Sequence, residues 1–296
     1  MMNLNGNVNA DVPSILWLGE SLCHRRELVG GKAANLSKLA AKYPVPPGFC
    51  LTAASFQAPG ALSMDRQISA QIASAYQTLS KRSDQSDPRV AVRSSAIDED
   101  GSAASYAGQY ESFLNVEGAD AVLKAINRCW ESASSERLLA YRKQQGLPGA
   151  SPVAVLVQHM VPADISAVVF SANPITNNTS EIVINASWGL GESIVGGTVT
   201  PDTYIVEKQS LSIKSIKVAD KQWMTVQSET GTQEVKIPRM LRTQPALNDE
   251  QILEMALLAH NLERDMGWLV DLECAYQADQ LFLLQCRPVT TVEGAK

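Results

Sequence analysis

Two short segments near the carboxyl end of the chain, LVDLECA and LFLLQCR, alternate between apolar and polar residues on either side of a turn at Asp279. Successive side chains of a strand point to opposite faces, so Asp271 and Glu273 share one face of the first segment. The same rule groups Gln285 and Arg287 on one face of the second segment. If the two segments pair antiparallel, Glu273 faces Gln285 and Asp271 faces Arg287. The pattern therefore predicts a hairpin with one polar face.

A carboxylate, an amide oxygen and a guanidinium on one surface suit a magnesium-bound polyphosphate. Mg²⁺ prefers oxygen ligands and commonly takes one or two from the protein, while phosphates and waters complete its shell. Arginine binds phosphate oxygens through a fork of two N–H groups. The alternative is a solvated strand face with a surface ion pair between Asp271 and Arg287, an arrangement that is common in proteins. The residues of the hairpin leave both interpretations open.

The rest of the chain contains patterns for both helices and strands. Apolar residues at mixed spacings of three and four predict helices over 62–82 and 119–146, and VGGKAANLSKL predicts a glycine turn that leads into another helix. The segment KQWMTVQSETGTQEVKI predicts a hairpin that turns at 229–231. Asn248 is predicted to cap the helix that follows it. Helices and strands thus occur along the whole chain.

The composition changes at 148–152, where short β-branched runs such as VAVLVQHMV and SAVVFSAN begin. Such runs, bounded by proline and asparagine, predict strands. We therefore predict an α+β or α/β chain with two lobes, an amino-terminal lobe over 1–150 and a carboxyl-terminal lobe over 151–296. A length of 296 residues is at the upper limit of one domain and is sufficient for two.

Charge and cysteine content exclude several classes of partner. The net charge is −6, without a run of lysine or arginine, so neither nucleic acid nor an acidic membrane surface is an expected partner. The five cysteines are odd in number, widely spread and never in a C-x-x-C pair, which argues against a disulfide framework and a zinc site. The start of the chain lacks a signal-peptide layout, and no apolar run approaches the roughly 18 residues of a membrane span. We expect a cytoplasmic protein.

Two cationic residues in the first half of the chain are candidates for anion binding. Lys32 follows two glycines at a predicted helix start, where an ammonium and free backbone N–H groups can meet an anion, although the pattern is not that of a P-loop. Arg93 stands at or near the end of a predicted strand, where it can reach a ligand or pair with Asp98. The small residues over 101–108 can close over phosphates or form an ordinary loop. An exposed helix start remains the alternative for Lys32.

Six segments of the chain, taken in order, resemble the ATP-binding domain of the phosphoenolpyruvate synthase and pyruvate phosphate dikinase family. They are GGKAANLSKL, VPPGF, VAVRSSAIDED with ASYAGQYESFLNV, VQHMV, GLGESIVGGTVTPDTY and DLECAYQADQLFLLQCRPVT. The resemblance covers about residues 28–292. It implies an α+β, ATP-grasp fold whose two lobes bind the nucleotide between them, with ATP and Mg²⁺ as cofactors.

By this resemblance, several residues correspond to positions that handle the phosphates of ATP. Lys32 and Arg93 match residues that hold phosphates, and Gly108 and Ser112 fall in the loop over them. Arg287 matches the phosphate-binding arginine of the Q-x-R-P motif. The resemblance thus implies that Lys32, Arg93 and Arg287 carry the catalysis.

The resemblance also implies roles for four other residues. Glu273 and Gln285 match the magnesium-binding positions, in agreement with the chemistry of the predicted hairpin. Gln158 lies between the two lobes, where the adenine edge is read. Glu192 matches the glutamate of the GLGE segment and belongs to the nucleotide site.

The family's full-length members carry the phosphoryl group on a histidine of a separate domain, and this sequence has no matching Thr-Ser-His loop. We therefore expect the ATP-binding, phosphoryl-donating subunit of a split phosphotransferase. It would cleave ATP to AMP and phosphate and phosphorylate a histidine on a partner subunit, which then phosphorylates a small acceptor such as a phenol or pyruvate. The alternatives are a non-catalytic ATP-sensing module and an ATP-grasp ligase that produces ADP.

Overall fold

The computed structural model of the protein describes residues 12–56, 65–97, 111–135, 138–139 and 152–290. Five antiparallel strands form its first sheet. The strand order is β1-β2-β5-β3-β4, with β1 Ile15–Trp17, β2 Gly48–Leu51, β3 Val90–Ala96, β4 Ser112–Val116 and β5 Val153–His159. Three long helices accompany this sheet: α1 Arg26–Leu39, α2 Arg66–Arg82 and α3 Ala119–Ser132. Helices α2 and α3 lie within the predicted helical ranges 62–82 and 119–146, whose remaining residues are partly outside the described ones.

Six antiparallel strands form the second sheet, in the order β13-β12-β6-β7-β8-β9. These strands are β6 Ile165–Phe170, β7 Glu181–Trp188, β8 Asp202–Glu207, β9 Ser212–Lys217, β12 Val270–Gln277 and β13 Gln280–Pro288. A separate hairpin consists of β10 Trp223–Gln227 and β11 Thr232–Lys236. The helices of this half are α4 Glu192–Val195, α5 Arg239–Arg242 and α6 Asp249–Met266. The combination of helices with antiparallel sheets confirms the predicted α+β character.

The chain passes from the first sheet to the second between His159 and Ile165. Strand β5 follows the predicted lobe boundary at residue 150, yet it pairs with both β2 and β3 of the first sheet. Six of its seven residues are buried, and His159 is partly exposed. This burial explains the continuous apolar run over 153–157. The division of the chain into lobes at 1–150 and 151–296 stays a prediction.

One large cluster of buried side chains connects the two sheets through α1. Leu36 of α1 belongs to the same cluster as Leu156 of β5 and Leu272 of β12. Burial of a leucine side chain contributes about 1.5–3 kcal/mol to the free energy of folding, so this shared cluster is a main source of stability for both sheets. A second cluster fills the space between the first sheet and helices α2 and α3, and it contains Ile72 and Ile126.

Helix α1 differs from the predicted glycine turn that leads into a helix. The helix begins earlier, at Arg26, and Gly30 interrupts it with φ 74° and ψ 176°. A Cβ at residue 30 would stand 2.0 Å from the carbonyl oxygen of Ser95 in β3. Only glycine both adopts this backbone conformation readily and permits this close approach. The glycine therefore brings the following turn of α1 directly against β3.

Helix α6 and the β10–β11 hairpin have the predicted local structure. Asn248 caps α6: its side chain accepts the N–H of Gln251, whose own side chain accepts the N–H of Asn248. This reciprocal pair satisfies two backbone donors that a helix start otherwise leaves unpaired. The hairpin turns between Gln227 and Thr232, as predicted.

The β10–β11 hairpin is attached to both sheets. Near its base, the N–H of Leu190 donates to the carbonyl oxygen of Thr225 at 2.8 Å. At its turn, the carbonyl oxygen of Ser228 accepts hydrogen bonds from Arg89, just before β3, and from Asn115 of β4, at 3.0 and 2.8 Å. The hairpin thus spans from the end of β7 to the first sheet.

A buried ion pair fixes the segment between β9 and α6. Lys221 and Asp202 are both fully buried, and the Lys221 ammonium lies 2.7 Å from a carboxylate oxygen of Asp202. The ammonium also donates to the Gln244 carbonyl oxygen, and the carboxylate accepts the N–H groups of Ala219 and Ala246. These hydrogen bonds satisfy both charges without water, as a buried pair requires.

The helices in the described part of the chain are each too short or too polar to cross a membrane.

Candidate active site

A cavity of about 390 Å³ is lined by residues of both sheets. Eight of the nine predicted site residues line it: Lys32, Arg93, Ser112, Gln158, Glu192, Glu273, Gln285 and Arg287. The ninth, Gly108, lies outside the described residues. The fold thus brings together side chains that are up to about 250 residues apart in sequence, which no local pattern requires.

The β12–β13 hairpin has the register that the alternation predicts. Glu273 pairs with Gln285 and Asp271 pairs with Arg287, and a β-bulge follows Glu273. A carboxylate oxygen of Asp271 accepts the Nε–H of Arg287 at 2.8 Å. Asp271 is 7% exposed and Gln285 is 4% exposed, so the alternative of a solvated strand face is wrong. Three residues of the polar face, Glu273, Gln285 and Arg287, line the cavity.

Arg93 lies in the middle of β3, not at its end, and its side chain reaches the second sheet. Its Nη2 lies 3.3 Å from a carboxylate oxygen of Glu273, and its Nη1 donates to the carbonyl oxygen of Leu284 at 3.2 Å. Its buried Nε has no hydrogen-bond partner among the residues that the structure describes. The predicted alternative partner, Asp98, is outside those residues. The sequence patterns did not indicate the pair with Glu273.

Lys32 and Ser112 flank Arg93 on the first-sheet side of the cavity. The ammonium of Lys32 donates to the Ser94 carbonyl oxygen at 3.3 Å, and the N–H of Ala33 donates to the Ser95 hydroxyl at 3.2 Å. Both contacts follow from the close approach of α1 to β3 at Gly30. Ser112 is the register partner of Arg93 on the neighbouring strand β4. The structure therefore places a lysine, an arginine and a serine together.

The remaining wall of the cavity is largely apolar. Met160, Leu190 and Val195 line it beside Glu192, the first residue of α4. Gln158 is buried at the end of β5, and its amide nitrogen donates to the Pro46 carbonyl oxygen at 3.2 Å. The sequence analysis missed the three apolar residues, since apolar side chains in these segments are equally compatible with an ordinary core.

Burial keeps two other groups of the wall neutral. It lowers the pKa of His159 and so favours the neutral form of this imidazole. Burial, together with the neighbouring carboxylates of Glu273 and Asp271, raises the pKa of the Cys274 thiol well above its usual range. The charged groups of the cavity are therefore its lysine, arginines and glutamates.

Glu273 and Gln285 carry oxygen atoms of the type that a hard divalent ion prefers. They are register partners on adjacent strands and supply a carboxylate and an amide oxygen. Among the described residues, no group of three or more His, Cys, Asp or Glu side chains could hold a metal ion by itself. This donor set suits Mg²⁺ in a site where phosphate oxygens and waters complete the coordination shell.

Comparison with known proteins identifies the family of the chain. The family model described as pyruvate phosphate dikinase, AMP/ATP-binding domain, matches residues 60–296. The phosphoenolpyruvate synthase of Pyrococcus furiosus is 37% identical over 358 residues, which cover 94% of this chain and 44% of that protein. The prodigiosin synthesizing transferase PigC of Serratia marcescens is 36% identical over 282 residues, covering 89% of this chain and 32% of that protein.

The chain spans less than half the length of these curated relatives. Among solved structures, that of PH1788 from Pyrococcus horikoshii Ot3 is similar with a TM-score of 0.43 at 12% identity, covering 87% of this chain and 90% of that one. A likeness this weak carries no argument about fold or function. The family match and the sequence identity to the relatives show that the chain belongs to the pyruvate phosphate dikinase AMP/ATP-binding domain family.

Proposed function

We propose that this chain binds Mg²⁺ and ATP in the cavity between its sheets and donates a phosphoryl group from the nucleotide. The observation that supports the proposal is the meeting of three cationic side chains with a carboxylate and an amide oxygen in one cavity. These groups come from both sheets, as expected for an ATP-grasp arrangement with the nucleotide between two lobes. Family membership supports the same ligand.

The cationic residues would neutralise the triphosphate. Lys32 and Arg93 contribute positive charge from the first sheet side, and Arg287 contributes it from the second. Asp271 holds the Nε of Arg287, so the guanidinium is oriented before a ligand arrives. Phosphoryl transfer needs little covalent chemistry from a protein, because most of the catalysis is positioning and charge stabilisation.

The metal and the base of the nucleotide would bind next to these cations. Glu273 and Gln285 would hold Mg²⁺, which would offset the negative charge of the phosphates when bound. The apolar wall at Met160 and Leu190 offers a surface for the adenine ring, with Gln158 nearby for its polar edge. Gly108 would belong to the loop over the phosphates. Ser112 belongs to β4 and not to a loop, so it would line the phosphate site beside Arg93, and Glu192 would line the nucleotide site.

The reaction we propose converts ATP, water and a histidine into AMP, phosphate and a phosphohistidine. One phosphoryl group moves to a ring nitrogen of the histidine, whose proton is released, and water takes the other. The histidine belongs to a partner subunit that then phosphorylates a small acceptor, such as a phenol or pyruvate. The relatives that this chain matches are more than twice its length, which supports a reaction completed by parts outside this chain.

Product analysis tests the proposal. The chain is incubated with its co-purified partner, ATP and Mg²⁺, and the assay measures AMP and acid-labile phosphohistidine. Arg93→Ala and Arg287→Ala should each lower product formation at least 100-fold, about 2.7 kcal/mol of transition-state stabilisation. Arg242→Ala is the matched control, since Arg242 pairs with Asp220 at the surface outside the cavity lining.

The outcome also separates the alternatives. An ATP-grasp ligase would release ADP, and a sensing module would bind ATP without forming any product. Failure of the wild-type chain to bind ATP would refute all three functions, and wild-type rates in both cavity variants would refute the residue assignments.

A further inference from the structure

The ion pair between Arg93 and Glu273 joins two residues to which we have assigned different ligands. Arg93 projects from β3 of the first sheet, and Glu273 projects from β12 of the second. Their side chains are only 14% and 22% exposed. An ion pair with this little access to water interacts more strongly than a surface pair, because the solvent screens it less.

Each member of this pair blocks the proposed ligand of the other. A guanidinium that binds the Glu273 carboxylate is turned toward that carboxylate and away from an incoming phosphate. A carboxylate that accepts the Arg93 Nη2–H offers a divalent ion less negative charge and one fewer free lone pair. In contrast, the Nε of Arg287 is held by Asp271, which is not an assigned metal ligand.

We propose that the Arg93–Glu273 pair makes nucleotide binding and metal binding mutually dependent. This inference rests on the proposed function and adds a regulation to it. The triphosphate draws Arg93 to its oxygens and releases the Glu273 carboxylate, which then takes the metal ion. Either ligand alone breaks the ion pair and gains one new contact in return. The two ligands together replace the same ion pair with two contacts, one between phosphate and Arg93 and one between the metal ion and Glu273.

Thermodynamic reciprocity gives the coupling a measurable form. If nucleotide raises the affinity for metal by some factor, metal raises the affinity for nucleotide by the same factor. Removal of one partner of the ion pair should therefore improve binding of the ligand that uses the other partner. Typical coupling factors are roughly 5- to 150-fold.

The first experiment measures Mn²⁺ binding in the absence of nucleotide, by water-proton relaxation. Arg93→Met removes the guanidinium and should increase the affinity for Mn²⁺ at least about fivefold, the lower end of ordinary coupling. Lys32→Met is the matched control, because it removes a positive charge from the same cavity and leaves the Arg93–Glu273 contact in place. The gain should exceed that of the control, and it should disappear in the double variant Arg93→Met, Glu273→Gln.

The second experiment measures the mirror effect with adenylyl-imidodiphosphate in excess EDTA. Glu273→Gln removes the carboxylate that pairs with Arg93 and should strengthen metal-free nucleotide binding by a similar factor. Glu192→Gln is its control, since it removes another carboxylate from the cavity wall. This experiment leaves Arg93 intact, so it decides the question even if Arg93→Met does not fold, which a thermal scan reveals.

The results distinguish the inference from the function on which it rests. If wild-type protein binds Mn²⁺ with nucleotide but Glu273→Gln and Arg93→Met only match their controls, the coupling is wrong and the proposed function stands. If wild-type protein binds no nucleotide under any condition, the proposed function fails, and the coupling fails with it. The coupling is supported if Arg93→Met binds Mn²⁺ more tightly than Lys32→Met does, and Glu273→Gln binds the metal-free nucleotide more tightly than Glu192→Gln does.

Discussion

Replacement of Gly30 by alanine tests how closely the site depends on the contact between α1 and β3. The added Cβ would stand 2.0 Å from the Ser95 carbonyl oxygen and 2.4 Å from its carbonyl carbon, both backbone atoms. Ordinary contacts between such atoms are about 3.5 Å, so helix and strand must move apart by more than 1 Å. The movement would pull Lys32 away from Ser94, to whose carbonyl oxygen it donates.

Three contributions determine how much Gly30→Ala lowers the free energy of unfolding. The backbone of Gly30, at φ 74° and ψ 176°, is in a region that is essentially reserved for glycine, and alanine there costs about 1–3 kcal/mol. The two hydrogen bonds across the contact, from Lys32 and Ala33, contribute about 1 kcal/mol each. We therefore expect Gly30→Ala to lower the free energy of unfolding by about 3–5 kcal/mol, a large share of the usual 5–15 kcal/mol.

Gly267→Ala is the matched control for this substitution. Gly267 has almost the same φ, 76°, but its ψ is 15° and no atom lies within 4 Å of its added Cβ. Alanine in this left-handed conformation costs about 1–2 kcal/mol. Urea unfolding measures both variants, and nucleotide binding should weaken in Gly30→Ala alone. Equal destabilisation by the two substitutions, with unchanged nucleotide affinity, would contradict the reasoning about the contact.

Three further predictions concern other parts of the molecule. Lys221→Met leaves Asp202 buried without its cation, so the free energy of unfolding measured in urea should fall by about 3–5 kcal/mol. The double variant with Asp202→Asn should restore part of this loss. An unchanged free energy of unfolding in Lys221→Met would show that the pair is dispensable. Asn115→Gly keeps the positive φ of this residue but removes two hydrogen bonds to the turn of the β10–β11 hairpin, worth about 1–3 kcal/mol. Amide hydrogen exchange in the hairpin should therefore accelerate about 5- to 150-fold, while exchange in α6 is unchanged. The ammonium of Lys42 lowers the pKa of Asp265 from 3.8 to about 2, so the stability gained from this carboxylate is present above pH 4 and is lost as the pH falls toward 2. The difference in urea midpoint between wild type and Asp265→Asn should shrink over that range, and a difference independent of pH would contradict the assignment.

Local patterns were sufficient to predict the structure of the β12–β13 hairpin and the start of α6. A slip of one residue in the hairpin would move Leu272 and Cys286 from the core to the opposite face, so the alternation specifies the register. At the start of α6, Asn248 and Gln251 satisfy each other's backbone donors, and this motif lies entirely within four residues. Both predictions depend on interactions between near neighbours in sequence or between adjacent strands.

Contacts between distant segments could not be predicted in the same way. The pair of Arg93 with Glu273 depends on how two sheets face each other, and the periodicity of a strand carries no information about that. Polar residue types at Asp271 and Gln285 favoured exposure, whereas the structure buries both. At Gly30 the glycine itself signalled an unusual backbone, but its close contact with Ser95 joins segments that are remote in sequence.

The buried cluster that connects both sheets through α1 has a consequence for how the protein melts. Since α1 contributes Leu36 to the same apolar interior as Leu156 and Leu272, each sheet loses this shared part of its interior when the other is lost. Calorimetry should record one endotherm, with equal van't Hoff and calorimetric enthalpies. Fragments severed between Gln158 and Ile165 should each lose ellipticity when separate and regain it when mixed, because each supplies the missing part of a common nonpolar interior.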